Sequence, residues 1–266
     1  MGSNDGSAWT ALDTRSGLDI TNKGSGWSSY VFNATAYSYY RLNFTSGSGY
    51  VRNWRMYETG TNNIQWEFPP VAFTGSTGGS NTYSLSVTTS PYINGTYNAR
   101  SGPNIWSTFN PAMAFDKTRG IVNGNMWGTN TATYSSGTGL YSTSLATGAT
   151  GGVQTTAGVN GEWLEIQIPR SIKIYKYSLT GRVIGNGEQQ NPSAWTLFGS
   201  NNGTTWTSIE SRSGITSWYF ISSQTLEFVV NSSVEYSYFR IVVTAIQSFG
   251  SNSSSAIVEW AIFSTT

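Results

Sequence analysis

The sequence predicts an all-β chain, and three observations carry this. Apolar and polar residues alternate in many short runs. In residues 161–168, GEWLEIQI, Leu164, Ile166 and Ile168 stand against Trp163, Glu165 and Gln167. Asn, Gly, Ser and Pro, which favour turns, separate the runs. No window shows the 3.6-residue apolar stripe of an amphipathic helix.

Taken in order, residues 9–12 read as a strand, 19–26 as a loop, 28–32 and 37–45 as strands, and 52–57 as a closing strand. This makes one sheet without its opposite layer. A whole domain of about 60 residues buries only about 60% of its unfolded surface, and half a sandwich also leaves strand edges open. Residues 1–58 are therefore expected to be completed by another copy, by the rest of the chain or by further sequence. Residues 59–98 read as a connector with short strands at 71–73 and 83–87, interrupted by Pro69-Pro70. Gly95 begins the sandwich proper, and residues 99–266 read as one complete unit. Within it, 108–139 is rich in loops, with Trp106, Phe115 and Trp127 as anchors. Residues 142–158 read as a long surface loop. Strands follow at 163–168 and 172–179, then a loop at 185–192. Residues 193–214 form strand, turn, strand around Asn201-Asn202-Gly203, with one residue of slippage between Trp206 and Ile209. Strands at 218–220, 225–230, 238–244 and 256–263 finish the set.

The chain repeats itself. Residues 2–17, GSNDGSAWTALDTRSG, align without a gap on 199–214, GSNNGTTWTSIESRSG. YSYYRLNFT at 37–45 matches YSYFRIVVT at 236–244, and VRNWRMY at 51–57 matches IVEWAIF at 257–263. Three blocks in one order make an internal repeat of about 200 residues, of which the first copy holds the C-terminal half.

Composition narrows the partners. Fourteen basic residues meet 13 acidic ones, so no basic footprint for nucleic acid is present. Only 10% of residues are charged, against about 25% in ordinary soluble domains. The polar surface is Ser, Thr, Asn and Gly, suited to sugars or to copies of itself. There is no cysteine, so a core must hold the fold. No apolar run is long enough for membrane insertion. The opening MGSNDGSAW lacks a secretory signal pattern.

Several motifs resemble the galactose-binding-like superfamily, specifically its coagulation-factor type C, or discoidin-like, domains. They are the W-x-L-x-GSN-x-G-x-x-W pattern from Trp195 to Trp206, Y-x-Y-F-R-I from Tyr236, E-W-x-I-F from Glu259, AFD at 114–116 and GEWLEIQI at 161–168. A looser similarity joins the unit to tandem repeats in surface and fibre proteins of large algal viruses. The resemblance implies a jelly-roll β-sandwich: one complete unit preceded by the C-terminal half of another.

The chemistry is restricted. Without histidine or cysteine, Ser-His and Cys-His nucleophiles and thiolate zinc sites are excluded. No spacing singles out a carboxylate pair for glycoside hydrolysis, so the chain is expected not to be an enzyme. The resemblance implies a calcium site with Asp116 and Glu259 as ligands, although Lys117-Thr118 departs from the usual Gly-Asn. It also implies sugar recognition by loops at one end of the sandwich. An aromatic plate and polar forks are needed there, and Trp106, Arg119, Asn125, Trp127, Arg182, Glu188 and Trp218 are the candidates. Asn33, Asn94, Asn202, Asn231 and Asn252 head N-x-[ST] sequons fit for glycosylation, and Asn43 heads another in a strand.

These readings lead to a non-catalytic structural repeat of an extracellular or virion-surface fibre, assembled through sandwich contacts and completion of the N-terminal half. The alternative is a carbohydrate-binding, lectin-like adhesion module for surface glycans. The expected partners are copies of the chain, adjacent repeats or glycans.

Overall fold

The computed structural model describes residues 1–12, 14, 37–41, 43, 66–74, 79–88, 93–119, 126–130, 133–148, 151–182, 187–216, 218, 225–230, 232–247 and 253–264. The expected strands at 28–32 and 52–57 lie outside them. The chain divides into two units, Met1–Glu58 and Thr59–Thr266.

In the first unit, β1 (Gly2–Ser3) pairs antiparallel with β2 (Tyr39–Tyr40). The second unit starts with β3 (Trp66–Phe68), β4 (Thr82–Val87) and β5 (Gly95–Ser101). A 3-10 turn (Pro111–Phe115), β6 (Trp127–Gly128), the short helix α1 (Thr143–Gly148), β7 (Thr155–Thr156) and β8 (Val159–Asn160) follow. Then come β9 (Glu162–Ile172), β10 (Ile174–Thr180), β11 (Pro192–Ser200), β12 (Thr207–Arg212), β13 (Thr225–Val229), β14 (Tyr236–Ile246), β15 (Ala256–Ile257) and β16 (Glu259–Ser264).

Two antiparallel sheets make the sandwich: six strands in the order β12-β11-β14-β9-β5-β4, and four in the order β13-β10-β16-β3. Alternation places Leu164, Ile166 and Ile168 of β9 inward. They share one core with Leu197, Phe239 and Ile241 of the same sheet and with Tyr177, Leu179, Trp260 and Ile262 of the other. Each such side chain contributes about 1.5–3 kcal/mol when fully buried, so a core of this extent takes the place of disulfides. Trp195 links the layers: its indole N–H donates to the Tyr177 hydroxyl (2.8 Å), which donates to Glu210 (2.6 Å).

Four expectations change. The stretch 59–98 is more than a connector, because β3 closes one edge of the smaller sheet and β4 and β5 complete the larger one. Residues 71–73 form no strand; Phe73 is buried against the Phe115 ring, with centroids 6.1 Å apart. The surface loop at 142–158 contains α1, too short to leave a period, and part of the β7–β8 hairpin. Trp218 is not in a strand, since its ring is needed in the core. The slippage at Ile209 is a β-bulge: Leu197 faces Glu210 and Phe198 faces Ser208, leaving Ile209 as the extra residue.

The sequence repeat is also a repeat of geometry. Gly2 and Ser3 pair with Tyr40 and Tyr39, as Gly199 and Ser200 pair with Phe239 and Tyr238. The Ser3 hydroxyl accepts from the amides of Asp5 and Gly6, and Asp5 Oδ1 accepts from those of Ser7 and Ala8. Ser200 and Asn202 repeat this pattern with Asn202, Gly203, Thr204 and Thr205. Gly6 and Gly203 take φ of 74° and 69°, where a side chain would be strained. Gly2 and Gly199 lie so close to the rings of Tyr37 and Tyr236 that a Cβ would approach to 2.6 and 2.2 Å.

Candidate functional site

Loops gather at one end of the sandwich. β5 ends there at Ser101 and β14 at Ile246, while β9 starts at Glu162 and β11 at Pro192, by the pairings Ser101↔Leu164, Val243↔Glu162 and Pro192↔Ile246. The smaller sheet brings the end of β10 and the start of β16 to one rung, Thr180↔Glu259. β15 pairs with β6 and ties residues 255–257 to 127–129, and the Ser253 carbonyl accepts from the amides of Thr133 and Tyr134.

Arg182 stands just past β10. Asn191, fully buried, accepts from the Arg182 amide (2.7 Å) and donates to its carbonyl (2.9 Å), closing the base of the intervening loop. The Arg182 guanidinium donates to Gln190 Oε1. Gln190 Nε2 in turn donates to the Ser254 hydroxyl at 2.8 Å. Gln190 and Ser254 are buried and Arg182 is half-buried, so the guanidinium plane is held from below. A guanidinium carries five N–H donors in a rigid fork, the geometry that neighbouring sugar hydroxyls accept.

Beneath the same end, Glu162 is 1% exposed. Its Oε1 accepts from Asn104 Nδ2 (2.8 Å) and the Tyr141 hydroxyl (3.2 Å). Burial pushes this carboxyl up to about 7, against the pull of those two bonds. Asn104 also accepts from the Gly151 amide and donates to the Gly152 carbonyl. The group is a strut joining 104, 141 and 151–162, sealed from any substrate.

The seven candidates for sugar contact divide. Arg182 is half-buried at the loop end, with its guanidinium on Gln190. Trp106 is half-buried, tilted on Phe109 with centroids 5.3 Å apart. Its amide donates to Gly128, which pairs with Ala256, two residues from Ser254. Trp127 and Trp218 are corrected to core residues. They are 0% and 1% exposed, and the Trp218 indole N–H is taken by the Pro192 carbonyl (2.8 Å), so neither offers a face to a ring. The Arg119 guanidinium is bound to Glu67. Asn125 and the Glu188 side chain lie outside what is described. Gln190, Asn191 and Ser254 had no signal in the sequence, because their roles depend on side-chain bonds made only in the fold, of which the Gln190–Ser254 bond spans 64 residues.

Among the described residues, those implied for calcium do not assemble that ion's ligand set. Glu259 is 1% exposed, and its Oε2 accepts from the Lys117 amide at 3.0 Å, while Oε1 has no partner among the described residues. Asp116 Oδ1 accepts from the Thr118 amide (2.8 Å). The third carboxylate, Glu67, is bound by the Lys117 ammonium (2.6 Å) and by Arg119. Calcium requires six to eight oxygens, whereas two cations of the chain already supply positive charge here. Among the described residues, no group of three or more His, Cys, Asp or Glu is placed to hold a metal. Burial pushes Glu259 well above the usual carboxylate range, with Lys117 and Arg119 opposing it.

Of the sequon asparagines, Asn43, Asn94 and Asn202 are exposed, and Asn202 heads the tight turn after β11. Asn33, Asn231 and Asn252 lie outside the described residues. Among the described residues, no helix is long and apolar enough to cross a membrane.

Comparison with known proteins agrees with this architecture. No curated protein matches. Similar solved structures include the family 32 carbohydrate-binding module of C. perfringens NanJ in complex with galactose, at 13% identity and TM-score 0.41, covering 63% of this chain and 93% of that one. A module from Clostridium perfringens in complex with GalNAc-beta-1,3-galactose gives 14% and 0.41, covering 69% and 96%. An F5/8 type C domain from Bacteroides fragilis gives 12% and 0.42, covering 70% and 98%. The F5/8 type C domain profile matches residues 129–261, from the loop before α1 to the middle of β16, which is half of the sequence. On that match and on its two-sheet sandwich, the chain belongs to the F5/8 type C domain family.

Proposed function

We propose that the chain is a non-catalytic, surface-displayed carbohydrate-binding module whose sandwich recognises glycans with its loop end. The observation that carries this is the braced Arg182–Gln190–Ser254 series at the loop end. Trp106 supplies the aromatic plate. A surface of hydroxyls and amides with few charges suits the same class of ligand. The absence of histidine and cysteine from the sequence, and the sealed position of Glu162, favour recognition without catalysis.

The test is a glycan array probed with the full chain, then with Arg182→Ala and Trp106→Ala. Each substitution is expected to weaken binding at least about tenfold, or about 1.4 kcal/mol. Both side chains are half-buried, so melting temperatures should move little. Silence across a broad array, or unchanged binding by Arg182→Ala, overturns the reading.

A second reading, assembly into a fibre on an extracellular or virion surface, is favoured by the repeated geometry of Met1–Glu58. Electron microscopy of the purified chain tests it: filaments support assembly, and dispersed particles at high concentration count against it.

A further inference from the structure

The repeat has a consequence at β2. In the second unit, β14 is flanked on one side by β11 and on the other by β9. The first unit reproduces the β11 side, through β1 and the bridge Gly2↔Thr10. What the second unit places on the β9 side is specific. Arg240 faces Glu165 and pairs with it at 2.6 Å. Its guanidinium lies between two indoles, 3.9 Å from the Trp163 ring and 4.1 Å from the Trp206 ring. Trp206 belongs to the repeated block, whereas Trp163 and Glu165 belong to β9.

Arg41 is the counterpart of Arg240, and Trp9 of Trp206. Arg41 lies 3.9 Å over the Trp9 ring, so half of the arrangement is present. Among the described residues no carboxylate pairs with Arg41, and no second indole covers it. Burial reflects the difference. The Arg240 side chain is 12% exposed, and Arg41 is exposed. Phe239 is 0% exposed, and its counterpart Tyr40 is 40% exposed. Tyr39 is exposed too, at 52%. A strand edge that the described residues leave without a partner, beside exposed aromatics and a cation they leave unpaired, is an acceptor for another strand.

We infer that the outer edge of β2 is a strand-acceptor site, and that its occupant is a β9-type strand from another repeat of this kind. The occupant runs antiparallel to β2, sets a carboxylate opposite Arg41, and lays an indole two residues earlier on the free face of its guanidinium. The register follows from β14: Arg41 faces the Glu165 position, Tyr40 the Ile166 position and Tyr39 the Gln167 position. This does not rest on carbohydrate recognition. It gives the assembly reading a mechanism, and filaments formed without strand uptake at this edge would remove the inference and leave assembly standing.

The test adds a peptide of residues 161–171, GEWLEIQIPRS, to the full chain and follows amide hydrogen exchange at residues 38–41. Exchange there is expected to slow at least about tenfold, saturably. Arg41→Glu should abolish the effect, and the peptide carrying Glu165→Arg should restore it on that variant. Arg41 is exposed, so the variant keeps its fold. A second arm fuses residues 66–197 ahead of Met1, which supplies the strand without relying on peptide solubility, and the same amides should be protected. Fast exchange in both arms overturns the inference. So does peptide binding that ignores the charge at position 41, and so does protection without peptide in a dimer, which would make a second β2 edge the occupant.

Discussion

Glu162 is a carboxyl that the fold favours in its protonated form. Burial raises it to about 7, above an ordinary value near 4.5. Its contribution to stability is full below the unfolded value, where both states hold the proton. Between about 4.5 and 7 the unfolded chain releases the proton and the folded chain keeps it, so stability falls as pH rises through about 7. The loss is on the order of 3 kcal/mol. Glu162→Gln keeps an acceptor for Asn104 and Tyr141 and removes the titration. Its melting temperature should exceed that of the native chain at pH 8 and converge with it toward pH 4.5. Parallel melting profiles across that range would show that Glu162 does not titrate this way. At this scale the sequence was only partly legible. Arg182 was a candidate because its residue type suits hydroxyls, while the bracing by Gln190 and Ser254 left no sequence signal. Trp127 and Trp218 were misread, because a tryptophan among polar residues looks the same whether it covers a loop or fills a core. Burial is settled by which strands meet around the ring.

The strands were legible where alternation is strict. Residues 161–168 announced β9, and Leu164, Ile166 and Ile168 do face the core. The other face held a surprise. Glu165, on the face opposite Leu164 and Ile166, is 1% exposed under Arg240, and Thr156 of the β7–β8 hairpin accepts from Arg240 at 3.0 Å. Burial pushes the Glu165 carboxyl up and the Arg240 guanidinium down, each opposed by the attraction between them. Removing Arg240 leaves the buried Glu165 with only the longer Arg100 contact at 3.6 Å, so Arg240→Ala should cost about 3 kcal/mol. Arg240→Lys keeps the charge but loses the planar stack between the two indoles, and should fall between native and alanine in denaturant titrations. A Lys variant as stable as the native chain would mean that the stack contributes nothing. β3 escaped notice because it is a three-residue edge strand running into Pro69-Pro70, whereas β4 was expected at 83–87 but its place at the edge of the larger sheet was not. The turn at 116–119 shows the reverse case, a motif whose chemistry has moved. Lys117 and Arg119 bring positive charge to Glu67 and Glu259, so neither calcium nor a chelator should shift the melting temperature by more than about 1 °C, under the roughly 2–4 °C that 1 kcal/mol moves a unit of this size. A calcium-dependent rise of several degrees would restore the metal site.

Across the whole molecule the balance of charge decides what kind of ligand fits. Basic and acidic residues nearly cancel, and charged side chains make up 10% of the sequence. Several of the basic ones are already occupied: Lys117 and Arg119 with Glu67, Lys176 with Glu227, Arg212 with Glu210, Arg100 and Arg240 with Glu165. Such a surface produces no long-range field to steer a polyanion. The proposed recognition at Arg182 then depends on short hydrogen bonds and ring contact, which salt screens little at contact distance, whereas attraction to a sulfated or uronic glycan would fade as the Debye length shrinks. Glycan affinity should therefore change less than about threefold between roughly 0.05 and 0.5 M salt. A fall of tenfold or more over that range would identify an acidic polymer as the ligand. It would also move the binding surface away from Arg182, because one braced guanidinium cannot produce so steep a dependence.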